Sequence, residues 1–219
     1  MAYYISHRRS IFNSFSVTFL LIAINVITFL LFTIFIAYKI LPLDAIAIKP
    51  ANILHGQYLW TFLTSMFMHA GFFHLFVNML SLMFIGGFIE KIIGRKRYFW
   101  FYMISGLAAA ALFVLLSLIF TADMNTFAVG ASGAIFGIAG LMMVLTPNIP
   151  MYVMFIPIPI KAKYAIPGLL VVMWFISVTA GIPIGNTAHL GGLLAGLIYG
   201  VYLRNKYRRK VSLISRHFS

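Results

Sequence analysis

The segment Gly130-Ala131-Ser132-Gly133-Ala134-Ile135-Phe136-Gly137 places one hydroxyl among small residues, within a stretch (residues 124–160) that carries no charged side chain. Small residues at such spacings let a second helix backbone approach closely inside a membrane. Ser132 is therefore either a packing residue or a nucleophile. The distribution of polar residues in the rest of the chain distinguishes these two interpretations.

The composition identifies the class of protein. Of the 219 residues, 63% are hydrophobic and only 9% are charged, which is more apolar surface than a soluble core can bury, so we expect a multi-pass membrane protein. The chain has no cysteine, which excludes disulfides and a thiol nucleophile. A net charge of +13 suggests nucleic-acid binding at first sight, but the position of the charges relative to the apolar stretches explains it better.

Six apolar stretches are candidates for membrane-spanning helices, since a span needs about 20 residues. They cover approximately residues 10–38, 68–89, 98–120, 132–146, 164–180 and 188–203. The fourth is too short to cross alone, so its first residue should lie below the membrane surface, reached by a non-helical segment (127–131) that lines a cavity. Four prolines between residues 146 and 163 exclude a regular helix there.

The positive charges predict the orientation of the six helices. With six spans both termini lie on one side, and all but two of the 16 Lys and Arg residues fall on that side, which the positive-inside rule places in the cytoplasm. The fold class is thus an all-α six-transmembrane-helix bundle. We expect residues 1–203 to form one catalytic domain and 204–219 a basic cytoplasmic tail. The loop 41–63 should lie partly in the interface.

This topology brings five scattered polar residues to one depth. Helices two, four and six all run from outside to inside, so the polar residues near their outer ends share a level beneath the outer face. These residues are His69, His74, Asn78, Ser132 and His189. Buried polar groups are costly in a bilayer and usually mark a functional site.

Glycines predict that the fourth and sixth helices pack closely. They recur at helical spacing on one face of each helix: Gly133 and Gly137 on helix four, and Gly192, Gly196 and Gly200 on helix six. Such faces allow two transmembrane backbones to approach each other. We therefore expect the Ser132 hydroxyl to reach a ring nitrogen of His189.

A serine and a histidine in contact suggest nucleophilic catalysis, because histidine can accept the hydroxyl proton near neutral pH. No acid lies at this depth, so we predict a Ser–His dyad without an aspartate, with Phe136 stacked on the imidazole. The free N–H groups at the start of helix four, the Asn78 amide and His74 together could form an oxyanion hole.

Three motifs carry a resemblance to a known family: Gly130-Ala131-Ser132-Gly133, His189-Leu-Gly-Gly192-Leu-Leu-Ala-Gly196, and His69-x4-His74-x3-Asn78. In this order and at these spacings they resemble the rhomboid intramembrane serine proteases. The resemblance implies a nucleophile at Ser132 and a base at His189, with His74, Asn78 and the Ser132 N–H as oxyanion groups. It also implies a loop (51–63) that leans sideways into the membrane, and a segment (181–187) that caps the site.

The sequence departs from the family pattern in two places. Some members carry tyrosine where this chain has Phe136, so only stacking remains there, and the loop 51–63 lacks the Trp-Arg pair of some relatives. The reaction implied is hydrolysis of peptide bonds in or near transmembrane segments of other proteins, without a cofactor. Expected partners are those substrates and membrane lipids, with no nucleic acid, and the expected location is a bacterial or archaeal cell membrane.

Simpler interpretations exist for the same residues. His74 and Asn78 also suit interhelical hydrogen bonds, and His69 suits a structural role that braces the loop. Gly130 is likewise assigned a structural role. A metal site formed by His69, His74 and His189 is disfavoured, because no carboxylate joins them and no H-E-x-x-H motif exists. Competing functions are a catalytically inactive relative that binds membrane spans and a small-solute transporter.

Overall fold

The computed structural model describes residues 16–153, 157–181 and 184–217. The helices are α1 (Val17–Ala37), α2 (Pro50–Leu54), α3 (Thr61–Thr64), α4 (Phe72–Ser81), α5 (Gly87–Ile93), α6 (Arg95–Leu116), α7 (Ser132–Leu145), α8 (Ala162–Ala180), α9 (Asn186–Lys206) and α10 (Arg208–His217). A π-helical turn, Leu82–Gly86, joins α4 to α5, and short 3-10 turns lie at Leu43–Ala45 and Thr121–Asp123.

Four helices in the described part of the chain are long and apolar enough to cross a membrane. They are Val17–Ala37, Phe72–Ile93, Arg95–Leu116 and Ala162–Ala180. Helix α7 is apolar but has only 14 residues, as the sequence predicted from its length. The fold is thus all-helical with at least these four candidate spans.

The second helix differs from its predicted bounds of 68–89, since it begins at Phe72 and ends at Ile93. The predicted bounds end the helix just before Glu90, whereas Glu90 lies within it and its carboxylate accepts hydrogen bonds from the start of α1. These bonds come from Ser16 Oγ (2.5 Å), Val17 N (2.8 Å), Thr18 N (2.9 Å) and Thr18 Oγ1 (2.7 Å). A carboxylate at a helix N-terminus is favourable, so Glu90 stabilises the start of α1. The helix that carries Glu90 continues to Ile93 and stops at Gly94, whose φ is +83°.

The other helices also shift by up to four residues at the ends that the structure describes. The third covers Arg95–Leu116 rather than 98–120 and the sixth covers Asn186–Lys206 rather than 188–203, while the fifth begins at Ala162. The first begins at Val17, and the predicted start at residue 10 lies outside the described residues. The basic segment expected as a tail forms the helix α10 after a short turn.

The proline-rich segment contains a small antiparallel hairpin instead of a helix. Strand β1 (Pro150–Met151) pairs with β2 (Ile160–Lys161), with Pro150 opposite Lys161. Residues 146–153 and 157–161 contain no helix, which confirms the prediction from the prolines except that α8 already begins at Ala162. Residues 154–156 lie outside the described part.

Helix α7 lies at the centre of the bundle, against α6 and α9, and nearly all of its residues are buried. Its contact with α9 is backbone against backbone. A Cβ on Gly192 would overlap the carbonyl oxygen of Gly133, and a Cβ on Gly196 would overlap that of Gly137. The close packing predicted from the glycine spacing is confirmed by these contacts.

Candidate active site

The serine and the histidine meet at the contact of α7 and α9. Ser132 is the first residue of α7, and its Oγ lies 2.7 Å from Nε2 of His189. This distance is within the usual range for a hydrogen bond to a hydroxyl. Two residues 57 positions apart are thus in direct contact.

The imidazole of His189 is held by packing. The side chain is buried, and the Phe136 ring stacks on it with centroids 4.6 Å apart and an interplanar angle of 21°. Among the described residues its Nδ1 is a buried atom with no hydrogen-bond partner. The ring is therefore oriented by Phe136 and by the contact with Ser132, not by a carboxylate.

The segment before α7 is anchored on both sides. Ala128 forms a two-way bridge with Ile48, with N···O distances of 3.1 and 2.9 Å, and the Gly130 N–H donates to the Ser65 carbonyl at 2.8 Å. Residues 126–131 are therefore non-helical, as the sequence predicted for 127–131, and their backbone groups are bonded to the loop between α1 and α4. This anchoring sets the level at which α7 begins.

Glycine is required at position 130 for two reasons. Its φ is +124°, a conformation that L side chains rarely adopt, and a Cβ there would lie 2.8 Å from His74 Cε1 and 3.6 Å from Asn78 Nδ2. Gly130 therefore keeps open the space between the start of α7 and the two polar side chains of α4.

His74 and Asn78 supply hydrogen-bond donors beside this space. Asn78 Nδ2 is buried and has no partner among the described residues. His74 Nδ1 lies 3.4 Å from the Ala70 N–H that donates to it, which places the ring proton on Nε2. A Cβ on Gly130 would lie 3.0 Å from that nitrogen. With the free N–H groups of the first turn of α7, these donors surround the approach to Ser132.

His69 lies behind this group of donors. It is fully buried, and its Nε2 faces the Ala131 N–H at 3.5 Å. Its ring meets those of Phe29 and His74 edge to face, with centroids 6.3 and 5.2 Å apart. These contacts connect α1 and α4 to the start of α7, which is the kind of bracing contact expected for a structural histidine.

One positioning contact was missed by the sequence reasoning. Asp123, in the loop after α6, accepts a hydrogen bond from Thr187 Oγ1 at 3.0 Å. Thr187 is two residues before His189, so this bond ties the start of α9 to the loop that leads into α7. The predicted topology already places Asp123 and Thr187 at the outer end of the bundle. Their shared level is the signal that could have suggested a hydrogen bond between them.

The predicted cap (181–187) is described only in part. Residues 182 and 183 lie outside the described part, Gly181 and Gly185 have φ of +65° and +68°, and Asn186 and Thr187 belong to α9.

In the loop 51–63, Trp60 is largely exposed and its Nε1 donates to the Ala45 carbonyl at 2.9 Å.

Among the described residues, no three His, Cys, Asp or Glu side chains lie close enough together to hold a metal ion. His69 and His74 are in edge contact, and the Nε2 of His189 is directed at Ser132.

Apolar helices long enough to span a membrane, a central short helix and a contact between a partly buried serine and a buried histidine define a helical integral membrane protein with a polar site inside its bundle. The family model described as the rhomboid domain matches residues 56–206, which is more than half of the chain. The chain belongs to the rhomboid family.

Curated relatives agree with this assignment. RHOMBOID-like protein 1 of Arabidopsis thaliana is 36% identical over 157 residues, covering 70% of this chain and 37% of the relative. RHOMBOID-like protein 5 of the same plant is 34% identical over 145 residues, covering 66% and 44%. Rhomboid protein 1, mitochondrial, of Saccharomyces cerevisiae is 31% identical over 144 residues, covering 64% and 40%.

The chain spans less than half of the length of each of these three relatives. They come from a plant and from yeast, so these three relatives give no support to the expectation of a bacterial or archaeal cell membrane. Family membership and the apolar helices together indicate an integral membrane protein.

Proposed function

We propose that the chain is an intramembrane serine endopeptidase that hydrolyses peptide bonds in or near transmembrane segments of other proteins. The observation that carries this proposal is the 2.7 Å contact between Ser132 Oγ and His189 Nε2, inside a membrane protein of the rhomboid family. The roles proposed below for the site residues are assigned from this contact and from the hydrogen-bond donors beside Ser132.

His189 acts as the general base. Its Nε2 accepts the hydroxyl proton while Ser132 Oγ attacks the substrate carbonyl carbon, forming the new C–O bond. The resulting imidazolium donates its proton to the leaving amine as the C–N bond breaks, which leaves an acyl-enzyme. A water molecule then gives a proton to Nε2 as its oxygen attacks the acyl carbon. The bond between the acyl carbon and Ser132 Oγ breaks, the imidazolium returns its proton to Oγ, and the carboxylic acid leaves with both side chains restored.

The charge that develops on the carbonyl oxygen needs donors fixed before the reaction. The Ser132 N–H at the start of α7, the Asn78 amide and the His74 Nε2–H are assigned this role. Two observations support it: Asn78 Nδ2 is buried without a partner, and both α4 side chains border the space kept open by Gly130. Phe136 orients the imidazole, and His69 positions the backbone at Ala131.

The proposed topology has six spans, with α7 and α9 added to the four long apolar helices and both termini in the cytoplasm. Residues 1–203 form the catalytic domain and 204–219 the basic tail. The first residue of α7 then lies beneath the outer surface, where water can reach Ser132 from outside. The substrate is a transmembrane segment that is cut near the outer leaflet.

A helical substrate resists attack because its carbonyl groups are hydrogen-bonded within the helix. The segment must unwind locally before its carbonyl carbon can reach Ser132 Oγ. Helix-breaking or small residues near the cut site should therefore favour cleavage.

The test is cleavage of a labelled single-span substrate by protein reconstituted in lipid vesicles. Ser132→Ala should abolish cleavage and also abolish covalent labelling by a phosphonylating serine reagent, seen as the loss of a mass increment. The matched control is Ser105→Ala, which removes another buried hydroxyl of the bundle, one with no hydrogen-bond partner among the described residues. Cleavage at the normal rate by Ser132→Ala would refute the nucleophile assignment.

The same preparation distinguishes two other functions. A catalytically inactive relative that binds spans would capture the labelled segment and leave it intact, even with native Ser132 and His189. A small-solute transporter would move a solute into the vesicles and yield no cleaved product.

A further inference from the structure

The charged ends of α6 and α9 carry a cluster of cations and tyrosines that the proposed peptide hydrolysis does not use. Lys206 Nζ donates to the Tyr202 hydroxyl at 2.8 Å, and an Arg97 Nη donates to the Tyr207 hydroxyl at 3.1 Å. Both cations also lie over the Tyr207 ring, with Arg97 Cζ 5.4 Å and Lys206 Nζ 5.8 Å from its centroid. We call these four residues the Arg97–Lys206 cluster.

The aromatic part of the cluster is stacked and therefore ordered. Tyr202 stacks on Tyr199 with centroids 6.0 Å apart, and Tyr199 stacks on Phe101 of α6 at 4.9 Å. The Tyr202 ring is thus packed across the α6–α9 contact, and the Tyr207 ring packs against the hydrophobic core. Less side-chain entropy is lost on binding a ligand when its partners are already ordered.

No carboxylate side chain of the chain balances these two charges. The only acidic residues are Asp44, Glu90 and Asp123. Asp44 accepts from Asn52 at 2.8 Å and Asp123 from Thr187 at 3.0 Å, while Glu90 accepts the hydrogen bonds at the start of α1. Two like charges held against one ring repel each other, so an anion from outside the chain would stabilise the cluster.

The surface beside the cluster is apolar and exposed. Ile198 and Tyr202 precede Lys206 by eight and four residues on α9 and are 72% and 51% exposed, and Ile104, seven residues after Arg97 on α6, is 60% exposed. Residues at these spacings lie along one face of a helix. The cations therefore lie at the end of exposed apolar surface on two helices that the proposed topology places in the membrane, where acyl chains can pack.

Next to the cluster, exposed basic side chains surround a surface cavity at the junction of α9 and α10. Residues 205–210 line an open cavity of about 320 Å³, and Arg208, Arg209 and Lys210 are exposed there. A headgroup bound by Lys206 would thus have three further basic side chains nearby, those of Arg208, Arg209 and Lys210.

We propose that the Arg97–Lys206 cluster binds the phosphate of an anionic phospholipid, with the headgroup at the two cations and the acyl chains along the apolar strip of α6 and α9. Basic pockets between membrane helices at the positively charged side suit such headgroups. This inference depends on the membrane location of the chain and is independent of peptide hydrolysis.

The test is native mass spectrometry of the delipidated full chain, with phosphatidylglycerol as the probe and phosphatidylcholine as the reference lipid. Arg97→Gln/Lys206→Gln should weaken phosphatidylglycerol binding about 25-fold, because each basic residue near an anionic membrane surface contributes about fivefold. Arg97→Lys/Lys206→Arg retains both charges and should retain most of the binding. The matched control is Lys91→Gln/Lys96→Gln, which removes the same charge from the same end of the bundle outside the cluster.

Three outcomes would overturn the proposal. An equal loss in the two Gln double variants would show attraction by net charge alone, and equal affinity for phosphatidylcholine would show no selection of an anionic headgroup. Displacement of the lipid by millimolar inorganic phosphate would identify a soluble anion as the ligand. Thermal unfolding of each variant shows whether it is folded, and the charge-retaining variant keeps the test decisive if the Gln double variant unfolds.

Discussion

Replacing Gly192 with alanine tests the packing that holds Ser132 against His189. A Cβ at Gly192 would overlap the carbonyl oxygen of Gly133 and lie 2.9 Å from its carbonyl carbon. Because nonbonded carbon atoms prefer a separation of about 3.5–4.0 Å, α7 and α9 must move apart by about 1 Å. Gly133 follows Ser132 directly and Gly192 is three residues from His189, so the displacement acts on the proposed pair itself.

The expected effect on cleavage is large. A misplacement of about 1 Å between reacting groups costs about 100-fold in rate, so kcat/KM should fall about 100-fold in Gly192→Ala. The matched control is Gly168→Ala in α8, where an added Cβ would meet nothing within 4 Å. That variant also exchanges glycine for alanine in a helix and should change kcat/KM by no more than about twofold.

The assay is cleavage of the labelled single-span substrate in vesicles, with each rate divided by the folded fraction from thermal unfolding. Gly192→Ala with a normal rate would refute the argument that close backbone contact places the serine and the histidine. An equal loss in Gly168→Ala would attribute the effect to glycine in general and not to the α7–α9 contact.

Three other substitutions test separate parts of the structure. Asn78→Ala removes a proposed oxyanion donor and should lower kcat about 100-fold or more in the vesicle assay; a change of twofold or less would remove Asn78 from that role. Phe136→Leu removes the ring stacked on His189, worth about 1 kcal/mol, so kcat should fall about fivefold, whereas Phe136→Tyr keeps the ring and should keep the activity. Glu90→Gln removes the charge that accepts the hydrogen bonds of Thr18 and should lower the free energy of unfolding by about 2 kcal/mol, measured by denaturant titration in detergent; an unchanged titration curve would contradict this.

Several features were predictable because their signals are local. The start of α7 at Ser132 follows from the small-residue segment. Its end before Pro147 follows because a proline ring clashes with the preceding turn of a helix. The close approach of α7 and α9 follows from glycine spacing, which is set by helical periodicity alone. The stacking of Phe136 on His189 was expected because Phe136 is one turn from Ser132.

Other features were not predictable because a distant partner decides them. Glu90 follows the predicted end of a span, yet it is buried, accepts hydrogen bonds from the start of α1 and lies in a helix that continues to Ile93. Asp123 lies in a short polar loop, and only the position of Thr187 makes it an anchor for α9. Nothing in the spacing of Arg97 and Lys206 shows that both cations lie over one tyrosine ring.

The order of residues along the chain was sufficient to identify a membrane protein, to locate its helices within a few residues and to place five polar side chains at one level. These properties depend on hydrophobic length and helical periodicity, which act over neighbouring residues. Only the folded bundle decided that Ser132 and His189 are 2.7 Å apart, that Gly130 opens a space between two donors, and that each carboxylate is engaged away from the Arg97–Lys206 cluster. Such distances depend on how whole helices pack, because a shift of about 1 Å between backbones separates contact from no contact without changing the local pattern.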